Sequence, residues 1–481
     1  MRTHTLAAIA GCVAVLLAGC GSAGSGRSEE GGRATGQCGE RSGPEGRGAK
    51  GAGDLDQDGY DDYATTVSIR DASSQLLRSQ VAVVHGGKGG LDRHRVRIFD
   101  KLGLVPGARG DLDGDGYTDL LAQRNPDGPG TPVPVVIKGG PGCLGDPQPL
   151  KLPADFAAGA MADVNGDDAL DLINPGHVPA VKGGNPGGLR KGSVAFGPFG
   201  KDGAPARTAA LDVAAGGRPL TGDFNGDGFD DALILSLDTG EEEDDDPPPP
   251  PVEGYYRGSP QGLIRMPLPR TLGNATADGR TMPRAGDVDG DGIDDLLSYG
   301  DMPPPAPKPG AGRLTVVYGA KSGPGTGRPN SVYSQDTPGI PGDSQGADRF
   351  GPAATGDVTG DRRPDLVINT PGEDDDNGRF TLLPGAAHGP PTAAGATAFD
   401  LDTPGVPTRH KGTIHHGFHA DFPLLDINGD TYADVVAAAP QYRVFRGGFW
   451  LFPGSAEGLA ADTSRYTDPA GLGLRLRVKG G

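Results

Sequence analysis

Residues 286–298 read GDVDGDGIDDLLS, and the fold follows from the shape of this stretch. Counted from Asp287, carboxylates stand at positions 1, 3, 5 and 9, glycine stands at position 6, and an apolar pair follows. Alternate acids in a tight loop converge on one point, and glycine at position 6 permits the positive φ that bends the chain around it. Six further stretches repeat the pattern: GDLDQDGYDDYA from Gly53, GDLDGDGYTDLLA from Gly110, ADVNGDDALDLIN from Ala162, GDFNGDGFDDALI from Gly222, GDVTGDRRPDLVI from Gly356 and LDINGDTYADVVA from Leu425. The seven loops start at Asp54, Asp111, Asp163, Asp223, Asp287, Asp357 and Asp426. With Asp and Glu at 63 of 481 positions, acids at positions 1, 5 and 9 together should arise by chance about once, so seven spaced copies mean a repeat architecture.

Hard oxygen donors in this number suit Ca²⁺, which takes six to eight oxygens in flexible geometry. Up to seven ions are expected. The candidate ligands are Asp54, Asp56, Asp58 and Asp62; Asp111, Asp113, Asp115 and Asp119; Asp163, Asn165, Asp167 and Asp171; and Asp223, Asn225, Asp227 and Asp231. The last three loops add Asp287, Asp289, Asp291 and Asp295; Asp357, Asp361 and Asp365; and Asp426, Asn428, Asp430 and Asp434. An EF-hand shares the first six positions but requires Glu at position 12. That place holds Thr65, Ala122, Asn174, Ile234, Ser298, Ile368 and Ala437, and the flanks read as short β-rich runs, so each loop is a hairpin connection. The sixth loop is the poorest, with Thr359 at position 3 and Arg362 in the glycine place, where the arginine stands as a substitute cation. Asp168 and Thr431 occupy the same place in the third and seventh loops and imply backbone strain.

Glycine at 85 positions and proline at 46 favour tight turns and short strands over long helices. Mostly apolar runs at 81–84, 133–137, 314–318 and 449–452 each precede a glycine-containing turn and read as third strands. Seven units of this size, each able to form one sheet but not to cover its own faces, bury their apolar surfaces only against neighbours, and a closed ring removes the ends.

At this point the sequence resembles the FG-GAP repeats of the integrin α-subunit and the related VCBS repeats of bacterial exported proteins. The likeness spans about residues 50 to 470 and is most complete in the sixth repeat, where Phe350-Gly351 opens the unit, the Asp357 loop follows, Thr370-Pro371-Gly372 takes the GAP place, and a strand at 379–383 leads to the Gly385 turn. The resemblance implies an all-β, seven-bladed β-propeller with calcium-binding hairpin loops, each loop joining the first two strands of a blade on one face. Inserts at 241–251, 301–310 and 373–376 would project from the opposite face, the usual ligand face, and are read as solvated spacers.

The N-terminus reads as an export signal over 1–19: Arg2 and His4, an apolar run to Ala18, then Leu17-Ala18-Gly19-Cys20, which resembles a lipobox and would make Cys20 the lipidated residue. Residues 20–50 read as a flexible tether and 51–481 as the propeller. Cys12 leaves with the signal; Cys38 and Cys143 either pair as a disulfide or stay as separate thiols. A net charge of −19 argues against nucleic acid. Three other features carry little weight. His410, His415, His416 and His419 cluster without ligand spacing; 342–346 (GDSQG) matches a nucleophile elbow without its strand and helix; and 474–478 is a candidate outer strand. The expectation is a calcium-stabilised, non-catalytic binding or adhesion module, lipid-anchored outside the cell membrane, with a protein or glycan ligand. The alternative is a lectin or polysaccharide-cleaving enzyme on the same scaffold.

Overall fold

The computed structural model describes residues 53–70, 76–124, 132–142, 144–154, 156–176, 192–213, 217–235, 252–274, 283–300, 308–408, 418, 422–439, 442 and 447–474. The signal, the tether, Cys20, Cys38, Cys143, the four clustered histidines, 241–251 and 475–478 lie outside these residues.

Within them the chain is an all-β, seven-bladed propeller with almost no helix. Every blade is an antiparallel meander of consecutive strands. Blade 2 runs Leu102–Gly110, Asp119–Arg124, Val133–Ile137 and Gln148–Pro149; blade 3 runs Ala160–Ala162, Asp171–Asn174, Gly192–Phe196 and Arg207–Leu211. Blade 4 comprises Arg218–Gly222, Asp231–Leu235, Val252–Arg257 and Ile264–Met266, and blade 5 Arg284–Gly286, Asp295–Gly300, Arg313–Val317 and Ser331–Tyr333. Ala353–Gly356, Asp365–Thr370, Arg379–Leu383 and Thr397–Asp400 form blade 6, and Leu424–Leu425, Asp434–Ala438, Phe449–Phe452 and Arg465–Thr467 form blade 7. Blade 1 shows three strands among the described residues, Tyr63–Arg70, Leu76–Val84 and Val96–Asp100, and its Asp loop leads into Tyr63–Arg70, so the three take the places of the second, third and fourth strands of the other blades and are counted as such below. In the other six blades the loop joins strands one and two, as the repeat spacing implies.

Seven apolar clusters sit between the blades, one at each interface of the ring. The cluster between blades 7 and 1 closes the circle: Tyr63, Val67 and Val84 meet Leu425, Val436 and Phe449, with Leu472 and Leu474 packed in. Leu474 is thus buried at the seam where the outer strand was expected to begin. Each loop contributes to this packing through its second position. Leu55, Leu112, Val164, Phe224, Val288, Val358 and Ile427 are all essentially fully buried, each in the cluster shared with the next blade. Burying such a side chain contributes about 1.5–3 kcal/mol, so the loops also bind the blades to one another.

Candidate metal centres

The seven loops share one hydrogen-bond template. The Oδ2 of the position 1 Asp accepts from the backbone N–H of position 6 at 2.7–3.0 Å in all seven. The Oδ1 of the position 5 Asp accepts from the N–H of position 7 at 2.9–3.2 Å, again in all seven. Position 6 has positive φ in every loop, including Asp168 (65°), Arg362 (67°) and Thr431 (77°). The strain expected at Asp168 and Thr431 is therefore present, Arg362 shares it, and for the β-branched Thr431 the left-handed region is least favourable.

The Asp at position 9 does a second job. One oxygen accepts from the N–H of the glycine that ends the third strand of its own blade: Gly86, Gly139, Gly197, Gly258, Gly319, Gly385 and Gly454, at 2.7–3.1 Å. In five loops the other oxygen accepts from the N–H of position 2. Only glycine fits at that turn, because a Cβ there would lie 2.3–2.6 Å from the carbonyl oxygen of loop position 8 in all seven blades.

Position 8 crosses the blade boundary. The N–H groups of Asp61, Asp230, Asp294 and Ala433 donate to the carbonyl of position 1 in the preceding blade, at 2.8–2.9 Å. Where position 8 is Asp, its carboxylate accepts the N–H of that same residue: Asp61 from Asp426, Asp230 from Asp163 and Asp294 from Asp223. Spacing alone did not reveal these acceptors, since each looks like one more acid in a run.

With so many carboxylates gathered out of water, burial dominates their titration. It raises Asp54, Asp119, Asp171 and Asp231 to about 7, and Asp295 and Asp434 to about 8, against the opposing pull of backbone N–H donors.

Three loops bring the carboxylates of positions 1, 3 and 5 within 4.8 Å of one another: Asp54/Asp56/Asp58, Asp111/Asp113/Asp115 and Asp287/Asp289/Asp291. Their donors are all carboxylate oxygens, the set that Ca²⁺ takes, and in the first loop Asp56 Oδ1 is buried without a hydrogen-bond partner. In the other four loops position 3 is Asn or Thr. Asn428 Oδ1 in loop 7 and Asp357 Oδ1 in loop 6 are likewise buried and unpartnered. By contrast, Asn225 Nδ2 donates to both oxygens of Asp231, and Thr359 turns its hydroxyl toward Asp365 at 3.4 Å. The cation at loop 6 is Arg363, whose Nη1 lies 3.2 Å from Asp361, rather than the expected Arg362. Lys138 and Arg328 cover Asp113 and Asp289.

Away from the loops, residues 342–346 have neither strand before nor helix after, and Ser344 is buried. The turn Glu373–Asp376, read as a solvated spacer, is only partly so: Glu373 is 2% exposed and is held by Arg379 and Gln335.

The family comparison matches residues 353–383 to the FG-GAP repeat, covering blade 6 from its first strand to its third. This chain carries an FG-GAP repeat. Three hydrogen bonds of that unit, Arg362 N–H to Asp357, Arg363 N–H to Asp361 and Gly385 N–H to Asp365, have counterparts in the other six blades. No curated protein matches. Among solved structures, the Bacillus licheniformis rhamnogalacturonan lyase PL11 is 14% identical with a TM-score of 0.21, over 85% of this chain and 63% of that one. The exotype rhamnogalacturonan lyase YesX is 16% identical with a TM-score of 0.19, over 82% of this chain and 63% of that one. The chain thus spans less than two thirds of either lyase.

Proposed function

We propose that this FG-GAP propeller is a calcium-stabilised, non-catalytic binding module, exported and held at the outside of the cell membrane by lipid on Cys20. What supports the calcium reading is the gathering of three carboxylates on one point in loops 1, 2 and 5, all buried in loop 1 and with only Asp115 and Asp291 exposed in the other two, within a backbone template common to all seven. Positions 1, 3, 5 and 9 would hold each ion. A bound ion would offset the cost of charging these buried carboxyl groups, and its binding free energy would add directly to folding.

The test is thermal unfolding of the full chain with Ca²⁺ and with chelator, alongside the stoichiometry of bound Ca²⁺. A melting temperature that chelator leaves unchanged, or fewer than three ions bound, refutes the reading. The ligand side is tested with a glycan array and a screen for polysaccharide cleavage. Turnover would replace the non-catalytic reading with the carbohydrate-active one, and a protein or glycan partner bound without turnover supports a binding module.

A further inference from the structure

Loop 1 differs from the others in what stands over it. His85 directly precedes the glycine that ends the third strand of blade 1, and the same place in blades 2 to 7 holds Lys138, Phe196, Arg257, Tyr318, Pro384 and Pro453. Only blade 1 offers an imidazole. Its Nδ1 lies 2.9 Å from Asp62 Oδ1 and 3.5 Å from Asp56 Oδ2. His85, Asp56 and Asp62 each present a ligand atom within 4.8 Å of the others, and all three are buried, at 3%, 4% and 0% exposure.

Two atoms of this group lack a hydrogen bond although buried: His85 Nδ1, whose approach to Asp62 is close but outside hydrogen-bond geometry, and Asp56 Oδ1. A buried polar atom left unsatisfied is expensive. Two such atoms on side chains whose ligand atoms lie within 4.8 Å of one another call for a shared partner that accepts electron pairs from both nitrogen and oxygen. Ca²⁺ takes oxygen, whereas imidazole with carboxylates suits Mn²⁺, Co²⁺ and Zn²⁺. We propose that blade 1 holds a mixed nitrogen–oxygen site for a divalent transition ion, with His85 Nδ1, Asp56 and Asp62 as ligands.

Arg95 is the competing cation. Its Nη1 lies 2.6 Å from Asp58 Oδ2 and its Nη2 pairs with Asp56 Oδ2, so one oxygen of Asp56 is engaged and the other, Oδ1, is buried without a partner. An arriving ion meets this positive charge and weakens its hold. Arg95 therefore lowers the affinity without supplying a ligand.

Asp56 and Asp62 are also the position 3 and position 9 ligands proposed for Ca²⁺ in loop 1, so the transition ion would displace Ca²⁺ from that loop alone, and the test is run in Ca²⁺ so that the other six loops are filled. The full chain, stripped of metal and returned to Ca²⁺, is titrated with Co²⁺. One equivalent is expected to bind with visible d–d absorption in wild type. That equivalent should weaken by at least about 100-fold in His85→Gln, the upper end of what loss of even a supporting group costs a metal site. Arg95→Gln should tighten it on the order of tenfold by removing a like charge. Should His85→Gln fail to fold, bound Mn²⁺ in the wild-type chain should show nitrogen hyperfine coupling from one imidazole. Absence of Co²⁺ uptake, the same uptake in folded His85→Gln, or Mn²⁺ without nitrogen coupling overturns the proposal. Because all arms contain Ca²⁺, a protein that melts alike with and without chelator leaves this outcome independent.

Discussion

Asp295 allows the two roles of loop position 9 to be separated. Its side chain is 1% exposed, and its oxygens accept from Val288 N–H at 3.0 Å and Gly319 N–H at 2.8 Å. Asp295→Ala strands both donors in a buried site, at about 1–3 kcal/mol each, so about 2–6 kcal/mol of stability should vanish without any metal present. Unfolding of a domain of about 420 residues carries an entropy of about 0.9 kcal/mol/K, so the melting temperature in chelator should drop by about 2–7 °C. Asp295→Asn retains one acceptor oxygen and resembles the neutral acid that burial already favours at this site, since the carboxyl is raised to about 8. In chelator at neutral pH the amide should therefore cost less than alanine.

Calcium should reverse that leniency. At a concentration of 100 Kd a bound ion stabilises by about 2.7 kcal/mol, and Asp295→Asn forfeits most of it along with one equivalent of Ca²⁺. Trp450, the sole tryptophan, is fully buried among Phe418, Tyr442 and Tyr466, so its fluorescence reads unfolding of the last blade without a label. An Asp295→Ala protein as stable as wild type in chelator would refute the tie to the glycine turn. An Asp295→Asn protein that loses no more with calcium than without would refute the metal role.

The metal-free chain should lose stability as pH rises. Asp54, Asp119, Asp171 and Asp231 at about 7, and Asp295 and Asp434 at about 8, lie above the ordinary 3.8, so the native state holds protons that the unfolded chain gives up. That contribution is whole below pH 4 and gone above about 8; melting in chelator across this range should slope downward, and Ca²⁺ should flatten or invert the slope. Gly86→Ala places a Cβ 2.3 Å from the Asp61 carbonyl and 2.6 Å from that of Ile427, at the seam between blades 1 and 7. The overpacking should cost about 3 kcal/mol, read by urea titration, with a neutral result refuting the close approach. Asp294→Ala removes the acceptor for Asp223 N–H, 3.0 Å away, and should cost about 1 kcal/mol while leaving calcium stoichiometry intact. A lost equivalent of Ca²⁺ would show that position 8 belongs to the metal site instead.

Much of this was legible in the sequence because a loop that gathers carboxylates on one point must repeat them at fixed offsets, and offsets survive in a linear string. The loops, their number, the positive φ at position 6 and the third strands were recoverable for that reason. The partners that cross between blades were not. Asp61, Asp230 and Asp294 sit beside a candidate ligand and share its chemistry, and what assigns them to a neighbour 365, 67 and 71 residues away is the ring, not the spacing. His85 was hidden in the same way, since a lone histidine after a strand gains meaning only when the strand is seen to end over Asp56 and Asp62. The glycine ending each third strand did leave a trace, as a recurring turn, but its cause lay in a carbonyl oxygen of the loop.

Those glycines bear on how the propeller holds together before any ion arrives. Each brings its N–H onto an Asp at position 9 because it can approach the position 8 carbonyl so closely, and each loop then plants its second residue in the next interface. A blade's own hairpin, its third strand and the packing of its neighbour thus meet at one carboxylate. Neutral, that carboxyl tolerates burial; charged, it requires a cation within the loop. The sheets are therefore assembled by backbone hydrogen bonds and apolar packing, and a metal ion would set how far above neutral pH the assembly survives. A metal-free chain that unfolds blade by blade at pH 5, with Trp450 reporting separately from far-ultraviolet circular dichroism, would contradict this order; a single coincident transition supports it.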